Sequence, residues 1–125
     1  MNIDELKLYT SELYQLNEQA NEIFIKSKKT GEKGDFYTQV KPFADKIKEI
    51  CDVWEPAATN WIMIHKPKNL YPMQIKNTAE NIQMVSIRAF FPDTSLKRFN
   101  DHIQSNQYIL KRFLDILNDY LKTGD

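Results

Sequence analysis

The stretch CDVWEPAATNW, residues 51–61, decides the fold because it determines whether the middle of the chain forms one helix or two. Trp54 and Trp61 are seven residues apart, as on one face of an α-helix, yet Pro56 stands between them. A new helix beginning after the proline would normally shift the phase of the apolar positions. The phase instead continues in steps of three or four through Phe36, Val40, Phe43, Ile47, Ile50, Trp54, Ala58, Trp61 and His65. The sequence therefore predicts one main helix over about residues 42–66.

Pro56 is expected to face solvent, because it lies about 200° around the helix from Trp54. A proline inside a helix removes one hydrogen bond and costs about 3 kcal/mol. The carbonyl group that loses its donor belongs to Asp52, which lies on the same outer face, where water can satisfy it. A bend that is convex to solvent would let the helix wrap around its neighbours. A hinge or the lip of a binding pocket is the alternative interpretation of Pro56.

The start of this second segment carries two further signals. Asp35 is a good N-cap candidate for the residues that follow it. Pro42 disfavours helical geometry at Lys41 and suits the first position of a helix. We therefore expect DFYTQV, residues 35–40, to form a separate turn and the main helix to begin at Pro42.

Three other segments carry apolar residues at helical spacing. The apolar positions of the first segment are Ile3, Leu6, Tyr9, Leu13, Leu16, Ala20 and Ile23. This segment ends in KSKKTGEKGD, residues 26–35, which we expect to be a solvated loop. The third begins at Pro72 and consists of Ile75, Ala79, Ile82, Val85 and Ala89. The fourth segment follows possible N-caps at Asp93, Thr94 and Ser95 and ends near Gly124. Its apolar positions are Leu96, Phe99, Ile103, Leu110, Phe113, Leu117 and Tyr120.

No segment alternates with period two, so the sequence predicts an all-α protein. Four helices joined by short loops favour a single-domain antiparallel up-down-up-down four-helix bundle over residues 1–125. Asn106 lies between Ile103 and Leu110, at a position of the fourth segment where an apolar residue is expected. A buried Asn there would fix the register of the helix at a cost in stability. An exposed gap in the stripe is the alternative.

Composition and charge limit the classes of function. Basic and acidic residues number 17 each, so no overall field draws the chain toward nucleic acid or an anionic membrane. Cys51 is the single cysteine, which excludes an intramolecular disulfide, and we expect it to be a small buried residue. No apolar run approaches the roughly 20 residues that a membrane span needs. These features predict a cytoplasmic location and no membrane association.

The titratable residues do not form a recognisable catalytic or metal-binding pattern. Bundle enzymes that hold a metal pair inward carboxylates with histidines at helical spacing. His65 and His102 have no such companion, and His65 is expected to be an end-of-helix residue stabilised by the helix dipole. The three glycines form no phosphate-binding loop. We therefore expect no metal and no cofactor, and an enzyme is the least favoured class.

Several short motifs resemble the YppE-like family, which comprises small bacterial proteins of unknown function. They occur in the order GDFYTQVKP at residues 34–42, Trp54, KPK at residues 66–68, Gln74 with Ile75, Asn81, and KRF at residues 97–99. The correspondence runs without gaps from about Asp35 to the end of the fourth helix, whereas the first helix matches only in pattern. The resemblance implies a four-helix bundle. It implies no activity, cofactor or catalytic residue.

The predicted topology supplies one functional hypothesis. In an up-down-up-down bundle the first and third loops lie at the same end, where aromatic residues would be surrounded by lysines. We name this the basic, aromatic end, and its candidate partner-binding residues are Asp35, Phe36, Tyr37, Lys41, Lys97 and Arg98. Such a surface suits a protein partner or, as the second hypothesis, weak binding of nucleic acid. The alternative is that the aromatics only close the core, the lysines solvate a loop, and Asp35 pairs with Lys41 or Arg98.

Overall fold

The computed structural model describes residues 1–123, and these residues contain four α-helices and no strand. The helices are α1 (Ile3–Thr30), α2 (Lys41–His65), α3 (Pro72–Arg88) and α4 (Leu96–Thr123). The most extensive contacts are between α1 and α4, between α2 and α3, and between α3 and α4. The predicted all-α, up-down-up-down four-helix bundle is confirmed. The predicted end of the fourth helix near Gly124 lies outside the described residues.

The second segment is one continuous helix through Pro56, as its apolar phase predicted. Trp54 is buried in the core, where its indole Nε1 donates to the Thr10 hydroxyl at 2.9 Å. That hydroxyl in turn donates to the Leu6 carbonyl at 2.7 Å. Trp61 is partly buried and stacks on the His65 ring, with centroids 4.2 Å apart. Both tryptophans therefore anchor the same helix face.

Replacing Pro56 by alanine is expected to raise the free energy of unfolding by about 1 kcal/mol. Pro56 is exposed and α2 continues past it, so an alanine restores one helix hydrogen bond without disturbing the core. The gain stays below the full proline cost because proline also restricts the unfolded chain. Urea unfolding followed by circular dichroism measures the change. A loss of more than about 1 kcal/mol would remove the interpretation of Pro56 as a tolerated surface proline.

The start of α2 differs from the prediction, because Lys41 is helical, with φ −61° and ψ −48°. A π-helical turn at Phe36–Val40 leads directly into α2, and the Lys41 N–H donates to the Phe36 carbonyl. A π turn is wider than an α turn, which gives the ring of Pro42 room next to the preceding carbonyl groups. The separate turn was predicted correctly, whereas the helix begins at Lys41, one residue before Pro42.

Helix α1 is longer than the apolar positions of the first segment, which end at Ile23, predict. It continues to Thr30, and the buried residues Phe24 and Ser27 extend its inner face. Gly31, with φ 71°, ends the helix in the left-handed conformation, and its N–H donates to the Ser27 carbonyl at 2.8 Å. The expectation of a loop over residues 26–35 is therefore wrong for residues 26–30. The lysines of this stretch suggested a loop, although it continues the buried helix face on which Phe24 lies.

Two stripe residues and one loop residue are placed differently from expectation. Phe36 and Leu96 are both exposed, because each lies in the first turn of its element, outside the packed part of the bundle. Leu70, in the connection between α2 and α3, is buried and joins the core. Helical periodicity does not extend into a connection, so it could not identify Leu70.

Asn106 is completely buried, which decides between the two interpretations of the gap in the fourth stripe. Its Nδ2 donates to Oδ1 of the buried Asn17 at 3.1 Å, and Nδ2 of Asn17 donates to the Ile103 carbonyl at 3.0 Å. Oδ1 of Asn106 has no donor among the described residues. The two amides thus form a polar link between α1 and α4 inside the apolar core.

Candidate functional site

The first and third loops meet at one end of the bundle, as the topology predicted. The Gly34 N–H donates to the Phe90 carbonyl at 3.0 Å. A Cβ atom at residue 34 would lie only 2.5 Å from Cδ1 of Phe90, so this close approach requires glycine. The basic, aromatic end is therefore a joined structure of two loops.

The aromatic residues of this end divide into core and surface groups. Phe24 and Phe99 are buried and stacked, with centroids 4.0 Å apart. Phe90 is also buried, so these rings close the end of the core. Phe36 and Tyr37, on the π turn, are 56% and 78% exposed and meet edge to face at 5.1 Å. Only this exposed pair is fully available to a partner.

Asp35 has a structural function at the start of the π turn. Its carboxylate accepts from the Thr38 N–H at 2.9 Å and from the Thr38 hydroxyl at 2.8 Å. The backbone hydrogen bond, followed by the hydroxyl, lowers the pKa of Asp35. The stabilising effect of this cap is complete above the ordinary pKa of an aspartate and is lost as the pH falls through the lowered value. The N-cap prediction is confirmed, and the suggested pairing of Asp35 with Lys41 or Arg98 is wrong.

The three candidate cations differ in their partners. Lys41 forms an ion pair with Asp45 at 2.6 Å, and Lys97 forms one with Asp101 at 2.9 Å. The guanidinium of Arg98 is exposed and makes no ion pair with a carboxylate of residues 1–123. Phe36, Tyr37 and Arg98 are thus the candidate residues whose side chains are not engaged by a polar partner of the same bundle.

Cys51 lies away from this end and is held in the core. Its Sγ is 4.0 Å from the Ala79 carbonyl, and burial raises its pKa to about 12. A thiol with such a pKa is not a nucleophile near neutral pH. Within residues 1–123, no three His, Cys, Asp or Glu side chains lie close enough together to hold a metal ion. None of the helices described is both long and apolar enough to cross a membrane.

The Cys51 thiol is expected to react with Ellman's reagent at pH 8 at least about tenfold more slowly in the native protein than in urea. Both its burial and its raised pKa keep the thiolate population low in the folded state. Absorbance at equal pH, with and without denaturant, gives the two rates. Equal rates would show that Cys51 is accessible in the native protein.

The sequence hypothesis did not include a groove at the opposite end of the bundle. We name it the second-loop groove; its volume is about 650 Å³, and its lining consists of Ile62, Met63, Lys66, Pro67, Lys68, Asn69, Leu70, Tyr71 and Pro72. Its sequence signal was KPKNLYP at residues 66–72, which predicts a connection between helices but also includes the family-like KPK. Leu70, which is buried between exposed neighbours, lines the groove together with the buried Ile62.

Fold and surface together define a class: a four-helix bundle without a recognisable catalytic or metal-binding cluster in its described part. Residues 10–117 match the model of a bacterial domain of unknown function, DUF1798. The chain belongs to this family. No curated protein matches it significantly.

Solved structures of related bacterial proteins share the fold. A protein of unknown function from Listeria innocua is 31% identical, with a TM-score of 0.91 and 96% of both chains covered. Protein yppE from Bacillus subtilis is 23% identical, with a TM-score of 0.86 over 92% of this chain and 94% of that one. A DUF1798 protein from Staphylococcus aureus is 23% identical, with a TM-score of 0.83, covering 94% and 99%. The resemblance to the YppE-like family is thus confirmed.

Proposed function

We propose that this protein is an interaction module that binds a protein partner through its basic, aromatic end. The observation that carries the proposal is the exposed edge-to-face pair of Phe36 and Tyr37. Protein interfaces are enriched in large aromatics and arginine, and a few such residues supply most of the binding energy. Arg98, on the first turn of α4, supplies a cation without an ion-pair partner in the described chain.

The π turn presents the aromatic pair in a fixed position. Asp35 caps the turn from one side, and Oε1 of Gln39 accepts from the Asp35 N–H at 2.7 Å. An interface that is ordered before binding loses less conformational entropy when the partner docks. A partner with an apolar pocket for the two rings and a carboxylate for Arg98 would fit this end of the bundle.

Binding of nucleic acid is the competing function, but the charges of this end favour it less. Lys41 and Lys97 are already paired with aspartates of their own helices. Lys28 lies over the Phe24 ring at 5.3 Å, and Lys33 lies over Phe91 at 6.0 Å. Unpaired basic groups that track a phosphate backbone would be needed for strong binding.

Affinity capture from cells of the source organism tests the proposal. The bait is the tagged chain, compared with the double variant Phe36→Ser, Tyr37→Ser and with Arg98→Glu. Tyr108→Ser is the matched control, because Tyr108 is 65% exposed in the middle of α4. We expect the same partner with the wild type and the control, and at least a tenfold loss with the other two. Equal capture by all four baits would contradict the proposed site.

Fluorescence anisotropy with single-stranded and duplex oligonucleotides at low salt tests the competing function. We expect no binding at micromolar protein. Binding that weakens steeply as salt rises would instead support nucleic acid as the partner, because phosphate contacts release counterions.

A further inference from the structure

The second-loop groove has an apolar floor and apolar walls. Ile62 and Leu70 are buried at its base, whereas Met63 and Tyr71 are 61% and 59% exposed at its sides. Its volume of about 650 Å³ lies in the range of known binding sites for small molecules and side chains. Exposed Met side chains adapt to different apolar partners because the thioether chain is flexible. The groove can therefore hold one or two large apolar side chains.

The loop that forms the groove is held in a defined conformation. Lys66 and Asn69 have positive φ angles, 48° and 61°, which residues other than glycine adopt at a cost in free energy. The Lys66 N–H donates to the Ile62 carbonyl at 2.8 Å, and Nη2 of Arg112 donates to the Lys68 carbonyl at 2.5 Å. These contacts fix the rim of the groove before any ligand binds.

The rim is positively charged and contains no carboxylate. Lys66 and Lys68 line the groove together, and no Asp or Glu is among the lining residues. Four other lysines, by contrast, each pair with an aspartate four residues later in the chain: Lys41, Lys48, Lys97 and Lys111. Neither Lys66 nor Lys68 forms such a pair with any carboxylate of residues 1–123. The charge of the rim is thus available to an acidic ligand.

We propose that the second-loop groove binds a short peptide segment of another protein in which one or two large apolar residues are flanked by Asp or Glu. The apolar side chains would occupy the space between Met63 and Tyr71. The acidic residues would lie beside Lys66 and Lys68, where opposite charge selects the partner and fixes its direction. This site is at the end of the bundle opposite Phe36 and Tyr37, so it is independent of the proposed function.

Selection from a displayed library of random 12-residue peptides against the immobilised full chain tests this proposal without a known partner. We expect the enriched peptides to share an apolar anchor next to Asp or Glu. Labelled synthetic copies of these peptides are then titrated with the protein by fluorescence anisotropy. Lys66→Glu with Lys68→Glu, and separately Met63→Ser, should each weaken binding at least tenfold, with unchanged circular dichroism and melting temperature.

The control variant is Phe36→Ser, Tyr37→Ser, which alters only the basic, aromatic end and should bind these peptides as the wild type does. Loss of partner capture by this variant together with retained peptide binding would separate the two sites. Absence of enrichment, enrichment of basic or uncharged sequences, or peptide binding that survives the Lys66 and Lys68 changes would overturn the groove proposal. Binding to phosphatidylglycerol vesicles that depends on Lys66 and Lys68, with no peptide enriched, would also overturn it, since the occupant would then be a membrane surface.

Discussion

Replacing Trp54 by alanine is expected to lower the free energy of unfolding by about 4 kcal/mol. The indole is fully buried, contacts the Phe113 ring edge to face at 6.5 Å between centroids, and donates a hydrogen bond to Thr10. The substitution therefore leaves a large cavity and removes the N–H group that donates to the buried Thr10 hydroxyl. Since small proteins are stable by only about 5–15 kcal/mol, the loss would be a large share of the total. Urea unfolding followed by circular dichroism gives the value.

Two further variants make the test of Trp54 specific. Trp61→Ala is the matched control, because Trp61 is only partly buried at the end of the same helix, and we expect a clearly smaller loss. Trp54→Phe keeps most of the ring volume but removes the Nε1 donor, so it separates the hydrogen bond to Thr10 from the packing. If Trp61→Ala destabilised the protein more than Trp54→Ala, Trp54 would not be the principal anchor of α2.

Asn106→Leu is expected to lower the free energy of unfolding by about 2 kcal/mol, because it removes the donor to Oδ1 of the buried Asn17. The double variant Asn17→Leu, Asn106→Leu should recover most of this loss, since no buried amide then remains without its partner. The Ile103 carbonyl keeps its helical donor in α4 after Asn17 is replaced. Thermal and urea unfolding of both single variants and the double variant give a coupling energy, for which contacting residues typically show about 0.5–3 kcal/mol.

The same variants test whether the amide pair specifies the packing. If it fixes the register of α1 against α4, the double variant should be stable but less uniquely packed, with broader amide resonances than the wild type. Because Asn106 donates to Asn17, this outcome is expected for the double variant and not for Asn106→Leu alone. An increase in stability from Asn106→Leu alone would contradict the role assigned to the pair.

Part of the candidate site could be predicted from the sequence. Loop positions follow from the topology, and the N-cap at Asp35 follows from local chemistry, because its carboxylate reaches the backbone only three residues away. Periodicity could not separate the exposed Phe36 from the buried Phe90, since each lies at one end of a run of apolar positions and they differ in what packs against them. The second-loop groove was also missed, because its shape depends on the burial of Leu70 among elements that no local pattern connects.

The sequence by itself determined the four helices, the outward position of Pro56 and the end at which the first and third loops meet. These properties depend on a repeat of 3.6 residues, on caps and on short connections, all of which act between neighbouring residues. The tertiary structure alone decided which polar residues are buried in the core and which groups they bond to there. The hydrogen bonds from Trp54 to Thr10 and from Asn106 to Asn17 span 44 and 89 residues. Such contacts exist only after the helices have packed, because burial is a property of the assembled core and not of any one helix.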